Sequence, residues 1–450
     1  MFFDRPKDFG TGSWCRSCQA LAFLALTFCI SGCESAAKGV TSAILESREE
    51  VEDTRLCSAE GVPFPGIEPY LERQDSLPPI DVADPERPQV KVLYVHGIGT
   101  HSPSHGTELV SNLAHALGLT VRSPRPKRIV LKAPTMPGAE LGELNLVRFT
   151  DDNRKRDLIF YELTWSPINQ PAKDAVAFDN SEIYRTRRAS LNHAMRLFVN
   201  DVAPDPIAFA GNKGTAILTS ISQSMCWMWS STWSDLPEET VGQVCEIGAK
   251  FGSRATIDDV AFITHSLGSR ATMDALQDIA RRADDVGLAD DPDVLRLTEP
   301  LKQREVQLFM LSNQLPLLEA GQDPKEVTGR AADYCGPDSP LVDRRFVKAL
   351  KMIAFSDPND IMSYPLPVDW VDQYVDSRLC PEVTNVTINV ANVRSLLGLG
   401  EVADPLTAHT GYGADERVGG LLAQGAGHGE PAEIVQERCT WFTTDESLMN

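Results

Sequence analysis

The sequence predicts an α/β fold, a mostly parallel central sheet flanked by helices. Three observations lead there. Six short apolar runs, at 90–97, 157–165, 260–266, 305–314, 350–357 and 383–393, are each bounded by polar or turn residues. Runs this continuous suit strands buried on both faces, the pattern of a parallel sheet covered by helices. Between them "GTELVSNLAHALGL", "RATMDALQDIARRADDV" and "DERVGGLLAQG" space their apolar residues at helical intervals. Finally, the 450-residue chain is 42% hydrophobic, enough for a sizeable core.

In chain order, the first element is an export segment. Arg5, Lys7 and Arg16 precede the apolar run "ALAFLALTFCI" at 20–30, which has the length of a secretory core and is short for a membrane span. The "ISGC" that ends at Cys33 resembles the lipobox of bacterial lipoproteins. That resemblance implies a signal peptide over 1–32, cleavage before Cys33 and lipid on Cys33, with several acyl chains giving durable anchoring. It places the protein in a bacterial cell envelope, with Glu34 favouring the outer membrane. Residues 33–89, rich in Glu, Asp, Pro and Ser, read as a tether, and 90–450 as the folded domain. In an oxidising compartment the six cysteines after Cys33 (Cys57, Cys226, Cys245, Cys335, Cys380 and Cys439) make disulfides plausible, with the pairing open.

Within the domain, 166–250 is longer than one crossover needs and contains "TAILTSISQSMCWMWSSTWSD". It reads as a helical cap insertion. Either the cap has a small core of its own, or Trp227, Met228, Trp229 and Trp233 line an apolar acyl pocket as a lid.

Chemistry concentrates at strand ends. In "VAFITHSLGSRA" an apolar run turns at Ser266 into a helical pattern. This resembles the nucleophile elbow of α/β-hydrolases, G-x-S-x-G, with Thr264 in place of the first glycine and Gly268 as the second. "VLYVHGIGTHSP" looks like the strand and loop that supply an oxyanion donor in that superfamily. The resemblance implies an oxyanion hole from the amides of Leu267 and Ile98, with His96 ordering its loop instead of acting as base. Its chain order, Ser, then acid, then His, directs the search for the base to His409 or His428 and for the acid to Asp360 or Asp357. His409, between the last strand and a final helix, and Asp360, followed by apolar residues, are the preferred pair. Asp357 suits a turn carboxylate that accepts local amides.

The implied activity is that of a serine hydrolase of carboxylic esters, esterase- or lipase-like, acting through an acyl-enzyme on Ser266. Acyl transfer would use the same residues, and a noncatalytic envelope lipoprotein could use the fold for binding. No cofactor or metal is called for. The acidic loop at 288–294 lacks calcium-loop spacing. A formal charge of −21 argues against nucleic acid, so the expected partners are an acyl ester or lipid and, through the anchor, a membrane.

Overall fold

The computed structural model describes residues 56–442, apart from 81–83, 85, 124, 135–137, 179–187, 238–241, 247–249, 286–289, 321–323, 368, 396–400 and 428. Cys33, the signal segment and most of the expected tether lie outside the described residues.

Twelve strands form one sheet: β1 (Cys57–Gly61), β2 (Val90–Val95), β3 (Thr120–Val121), β4 (Lys127–Lys132), β5 (Glu140–Thr150), β6 (Asp157–Thr164), β7 (Gly242–Gln243), β8 (Asp259–His265), β9 (Glu305–Leu311), β10 (Ala349–Ser356), β11 (Pro381–Ile388) and β12 (Thr440–Phe442). Their spatial order is β12, β1, β11, β10, β9, β8, β2, β6, β5, β4, β7, with β3 beside β5. The six strands from β11 to β6 are mutually parallel, and they are the six apolar runs of the sequence. Antiparallel β5 and β4 extend one side, and β1 runs antiparallel to β11 on the other.

Each central strand feeds two cores. Leu93 and Val95 of β2 and Phe262 of β8 face one side of the sheet, while Val92, Tyr94, Ala261 and Ile263 face the other. This period of two, apolar on both faces, is what a covered parallel sheet requires. Helices α5 (Gly214–Ser230) and α6 (Leu267–Ala283) cover the first face; α1 (Thr107–Ala116) and α8 (Glu416–Gln424) cover the second.

Two expectations about organisation need correction. The tether does not run to residue 89: β1 pairs along its length with β11, Cys57 is bonded to Cys439, and Phe64, Ile67 and Leu71 are fully buried beneath α8. The polar, proline-rich composition hid a short strand, β1, whose ladders on both sides, to β11 and β12, are supplied by distant residues. Nor is the Trp-rich segment a lid or a separate cap. In α5, Ile217, Ile221, Met225, Met228 and Trp229 lie in the main core, and Trp229 packs edge-on against Phe262. The serines that broke its apolar run are satisfied inside the fold, Ser220 donating to the Leu141 carbonyl and Ser224 to that of Ser220. Only α2 (Gln170–Ala177), α3 (Ser190–Val202) and α4 (Pro204–Ala210) remain as an insertion.

The chain leaves β2 toward β6 on one side and returns to β8, from which it proceeds through β9, β10 and β11 on the other. The strand order therefore reverses between β2 and β8. In open α/β sheets the crevice beyond the carboxyl ends of such strands is where ligands bind. Three disulfides pair all six described cysteines: Cys57–Cys439, Cys226–Cys245 and Cys335–Cys380.

Candidate active site

The crevice at the reversal is built first by backbone. β8 ends at His265, and Ser266 takes φ 54°, ψ −126°, before α6 begins at Leu267. A non-glycine residue at positive φ is held there by its surroundings at a cost on the order of 1–3 kcal/mol. The Ser266 amide donates to the Leu311 carbonyl at 2.9 Å, tying the turn to β9. A Cβ on Gly268 would lie 2.5 Å from the carbonyl oxygens of Val95 and His96, and one on Gly97 would lie 2.6 Å from Cβ of Ser266. Only glycines allow the loop after β2 to approach the serine this closely. Thr264 is accommodated without conflict: its hydroxyl donates to the Phe309 carbonyl at 3.1 Å and contacts the Ser269 hydroxyl at 2.9 Å.

His96 is fully buried and belongs to the scaffold. Its Nε2 accepts from the amides of Trp165 (3.1 Å) and Ser166 (3.4 Å), so Nδ1 carries the proton and donates to the Gly97 carbonyl at 2.7 Å. Burial, with His101 and His105 close by, holds its pKa well below the usual histidine value and keeps the ring neutral. Beyond it, the loop at 98–100 is held by carboxylates from the insertion. Asp205 Oδ2 accepts from the Gly99 amide at 2.7 Å and Asp201 Oδ2 from that of Thr100 at 3.1 Å. Lys173 Nζ neutralises both, 3.1 Å from Asp205 and 3.3 Å from Asp201. Gly99 turns through φ +101° between these contacts.

The residues expected as acid and base come from the far side of the sheet. Asp360 follows β10, and His409 lies in α7 (Pro405–Thr410). His409 Nδ1 sits 2.9 Å from Asp360 Oδ2. Burial alone would raise the Asp360 pKa. The His409 hydrogen bond and charge, the Ser312 hydroxyl and the Met362 amide outweigh it and hold the carboxyl below its ordinary value. Asp357 does something else: it accepts from the amides of Asn359 (2.7 Å), Val390 (2.8 Å) and Ala391 (3.1 Å), bracing the turn and the end of β11. His428 lies outside the described residues.

Two buried polar atoms in this region have no hydrogen-bond partner, the Ser266 hydroxyl and His409 Nε2. Unpartnered polar atoms are costly in a folded core, and these two are the hydroxyl and the imidazole nitrogen that a nucleophile and a base would use. The serine and the imidazole thus belong to one crevice without being hydrogen-bonded to each other.

Sequence reasoning missed two neighbours. Ser312, at φ 49° just after β9, donates to Asp360 Oδ2 at 2.7 Å and lies 2.8 Å from His409 Nδ1. His265 Nε2 donates to the His409 carbonyl at 2.8 Å, and its ring meets that of His409 edge-on. Burial and the nearby His409 push the His265 pKa down to about 3, so it is a neutral donor at ordinary pH. For His265 the signal was its place beside Ser266 at the carboxyl end of β8; Ser312, inside an apolar run, carried none.

The chain matches no family model, no curated protein and no solved structure. Among the described residues no cluster of three or more His, Cys, Asp or Glu side chains is placed to hold a metal ion. In the acidic loop Asp291 instead caps a helix by accepting from the Asp293 amide, and Asp293 pairs with Arg296 at 2.9 Å.

Proposed function

We propose that the protein is a serine hydrolase of carboxylic esters, with the architecture of the α/β-hydrolase superfamily and a lipid anchor at Cys33. The observation that carries the reading is the Asp360–His409 pair at 2.9 Å, whose outer nitrogen is unpaired in the same crevice as the unpaired hydroxyl of a strained Ser266.

The carboxylate of Asp360 fixes the tautomer with the proton on Nδ1 and stabilises the imidazolium that forms later. Nε2 is then a lone-pair acceptor. In the proposed step Nε2 and the Ser266 hydroxyl come within hydrogen-bond reach as the substrate's ester carbonyl enters. The Ser266 oxygen bonds to the carbonyl carbon and its proton passes to Nε2. Negative charge gathers on the former carbonyl oxygen, where the Leu267 amide at the start of α6 and the Ile98 amide donate hydrogen bonds. Collapse breaks the bond to the alcohol, which leaves with the proton from Nε2. Water then repeats the sequence on the acyl-enzyme, giving the carboxylic acid and free Ser266. An alcohol in place of water would give acyl transfer from the same intermediate.

Turnover of p-nitrophenyl esters from acetate to palmitate tests the reading. The wild type hydrolyses at least one chain length; Ser266→Ala and His409→Ala each lower kcat/KM by at least about 10³-fold, and His428→Ala leaves it within about twofold. An inactive wild type would favour a binding protein instead, and a His428→Ala loss would move the base.

A further inference from the structure

We propose that the end of the molecule at the carboxyl termini of the parallel strands, which bears Ser266, is also a membrane-docking surface that seats the crevice against a neutral, zwitterionic lipid layer. The inference adds an interaction surface to the function above and rests on the lipid-anchor reading of Cys33.

The first observation is a segregation of exposed apolar side chains. Among the described residues, every exposed large apolar side chain except Val62 and Val121 lies in a connection at the carboxyl ends of the parallel strands or at the start of β1. Met195, Phe198 and Val199 on α3 and Ile207 on α4 follow β6; Ile361 and Tyr364 follow β10. Ile207 and Ile361 are the most exposed of these, at 72% and 76%. The two segments are fixed to the same end of the molecule. Asp201 and Asp205, at the ends of α3 and α4, hold the loop after β2, and the Tyr364 amide donates to the Asn313 carbonyl beyond β9. The exceptions sit at the opposite end: Val62 donates to the Val383 carbonyl near the start of β11, and Val121 pairs with Phe149. Apolar side chains gathered on one face of an otherwise acidic protein mark an interaction surface.

The second observation says what covers it. β1 is antiparallel to β11, with Cys57 opposite Ile388, so the chain enters the fold at the carboxyl end of the sheet. Leu56, at that entry point, is itself exposed. An anchor at Cys33 therefore connects to the molecule on the face that carries the apolar side chains and Ser266. The linking residues 34–55, at most about 3.5 Å each, need not pass around the body to bring that face to the bilayer. Charge then selects the lipid. A chain of formal charge −21 is repelled by an anionic surface, so the contact is apolar and the headgroups it tolerates are zwitterionic. Side chains at this depth bury in the boundary between headgroups and acyl chains, in the manner of interfacial helices.

The test uses the chain from residue 34 onward, which lacks the anchor but contains every described element of the fold, mixed with phosphatidylcholine vesicles at high salt and sedimented. The unlipidated chain cosediments, Ile207→Asp/Ile361→Asp raises the apparent Kd at least about tenfold, and Val121→Asp leaves it unchanged. Because all three substituted positions are exposed, unfolding temperatures within a few degrees of wild type accompany that result. Failure of the wild-type chain to sediment, or an equal loss from Val121→Asp, overturns the proposal. So does a wild type that fails to sediment and runs as a dimer split by the Ile207/Ile361 pair, which would assign the surface to a second copy. The mass of the full chain from a bacterial membrane reports lipid on Cys33 separately, and ester turnover reports Ser266, so neither reading can fail unnoticed behind the other.

Discussion

At the scale of single residues, Ser312 is the side chain whose removal is most informative. Its hydroxyl donates to Asp360 Oδ2 and leaves an oxygen lone pair facing His409 Nδ1, so it contacts both members of the proposed acid–base pair. In Ser312→Ala, kcat on a p-nitrophenyl ester should fall about tenfold with KM unchanged, the pattern of a group that acts on the transition state through another. Ser312→Thr should recover part of the loss if the hydroxyl keeps its direction. A change confined to KM would show instead that Ser312 shapes the substrate site. That residue was not legible in the sequence, where a serine after an apolar run is ordinary and nothing links position 312 to 360 and 409. Asp360 and Asp357 were legible as strand-end carboxylates because acids collect there. What separates them is three-dimensional: one reaches an imidazole, while the other is saturated by three backbone amides.

At the scale of elements, the insertion α2–α4 acts on the loop after β2. Two carboxylates beside a developing oxyanion would oppose it unless neutralised, and Lys173, almost fully buried, supplies that charge. Breaking a buried pair leaves an uncompensated charge and typically costs about 3–5 kcal/mol. Lys173→Met should therefore lower urea-unfolding stability by about 3 kcal/mol and slow ester turnover. Lys173→Met/Asp205→Asn should restore most of both, since the neutral amide oxygen can still accept from Gly99. No recovery in the double variant would mean that packing of the lysine stem, and not charge, sets the loop. None of this coupling was readable from sequence, because the partners come from 99–100, 173, 201 and 205. The sequence also could not place α5: a segment longer than one crossover needs suggested a cap, whereas its serines are satisfied inside the fold, Ser220 by the Leu141 carbonyl and Ser224 within the helix.

At the scale of the whole molecule, five of the six parallel strands were legible because each is apolar on both faces, a pattern that few other settings permit, while β11 buries Val386 and Ile388 on one face and leaves Asn385 and Thr387 half-buried on the other. β1, β4 and β5 were not legible, since antiparallel strands mix polar and apolar residues, and β1 depends besides on a partner far away in the chain. Buried histidines give this fold a characteristic response to acid. A histidine with unfolded pKa near 6.5 and folded pKa of about 3 binds its proton only in the unfolded chain over that interval. Stability is therefore fully present above about pH 6.5 and falls as pH drops toward 3. For His265 the loss at pH 5 is about 1–2 kcal/mol, the lower end reflecting the part of its ring that meets solvent, and His96 shifts in the same direction. Urea unfolding at pH 7 and pH 5 should differ by at least that amount; equal midpoints and slopes would mean that these rings are protonated in the native fold.

The account turns on Ser266 being made nucleophilic by His409. The most direct measurement is the rate and position of labelling by a fluorophosphonate, mapped by peptide mass spectrometry in the wild type, Ser253→Ala, Ser266→Ala, Asp360→Asn and His409→Ala. The adduct should fall on Ser266 alone, form at the wild-type rate in Ser253→Ala, slow by at least about 10²-fold in Asp360→Asn and His409→Ala, and be absent in Ser266→Ala. Labelling that maps to another residue, or that proceeds undiminished without the imidazole of His409, would contradict it.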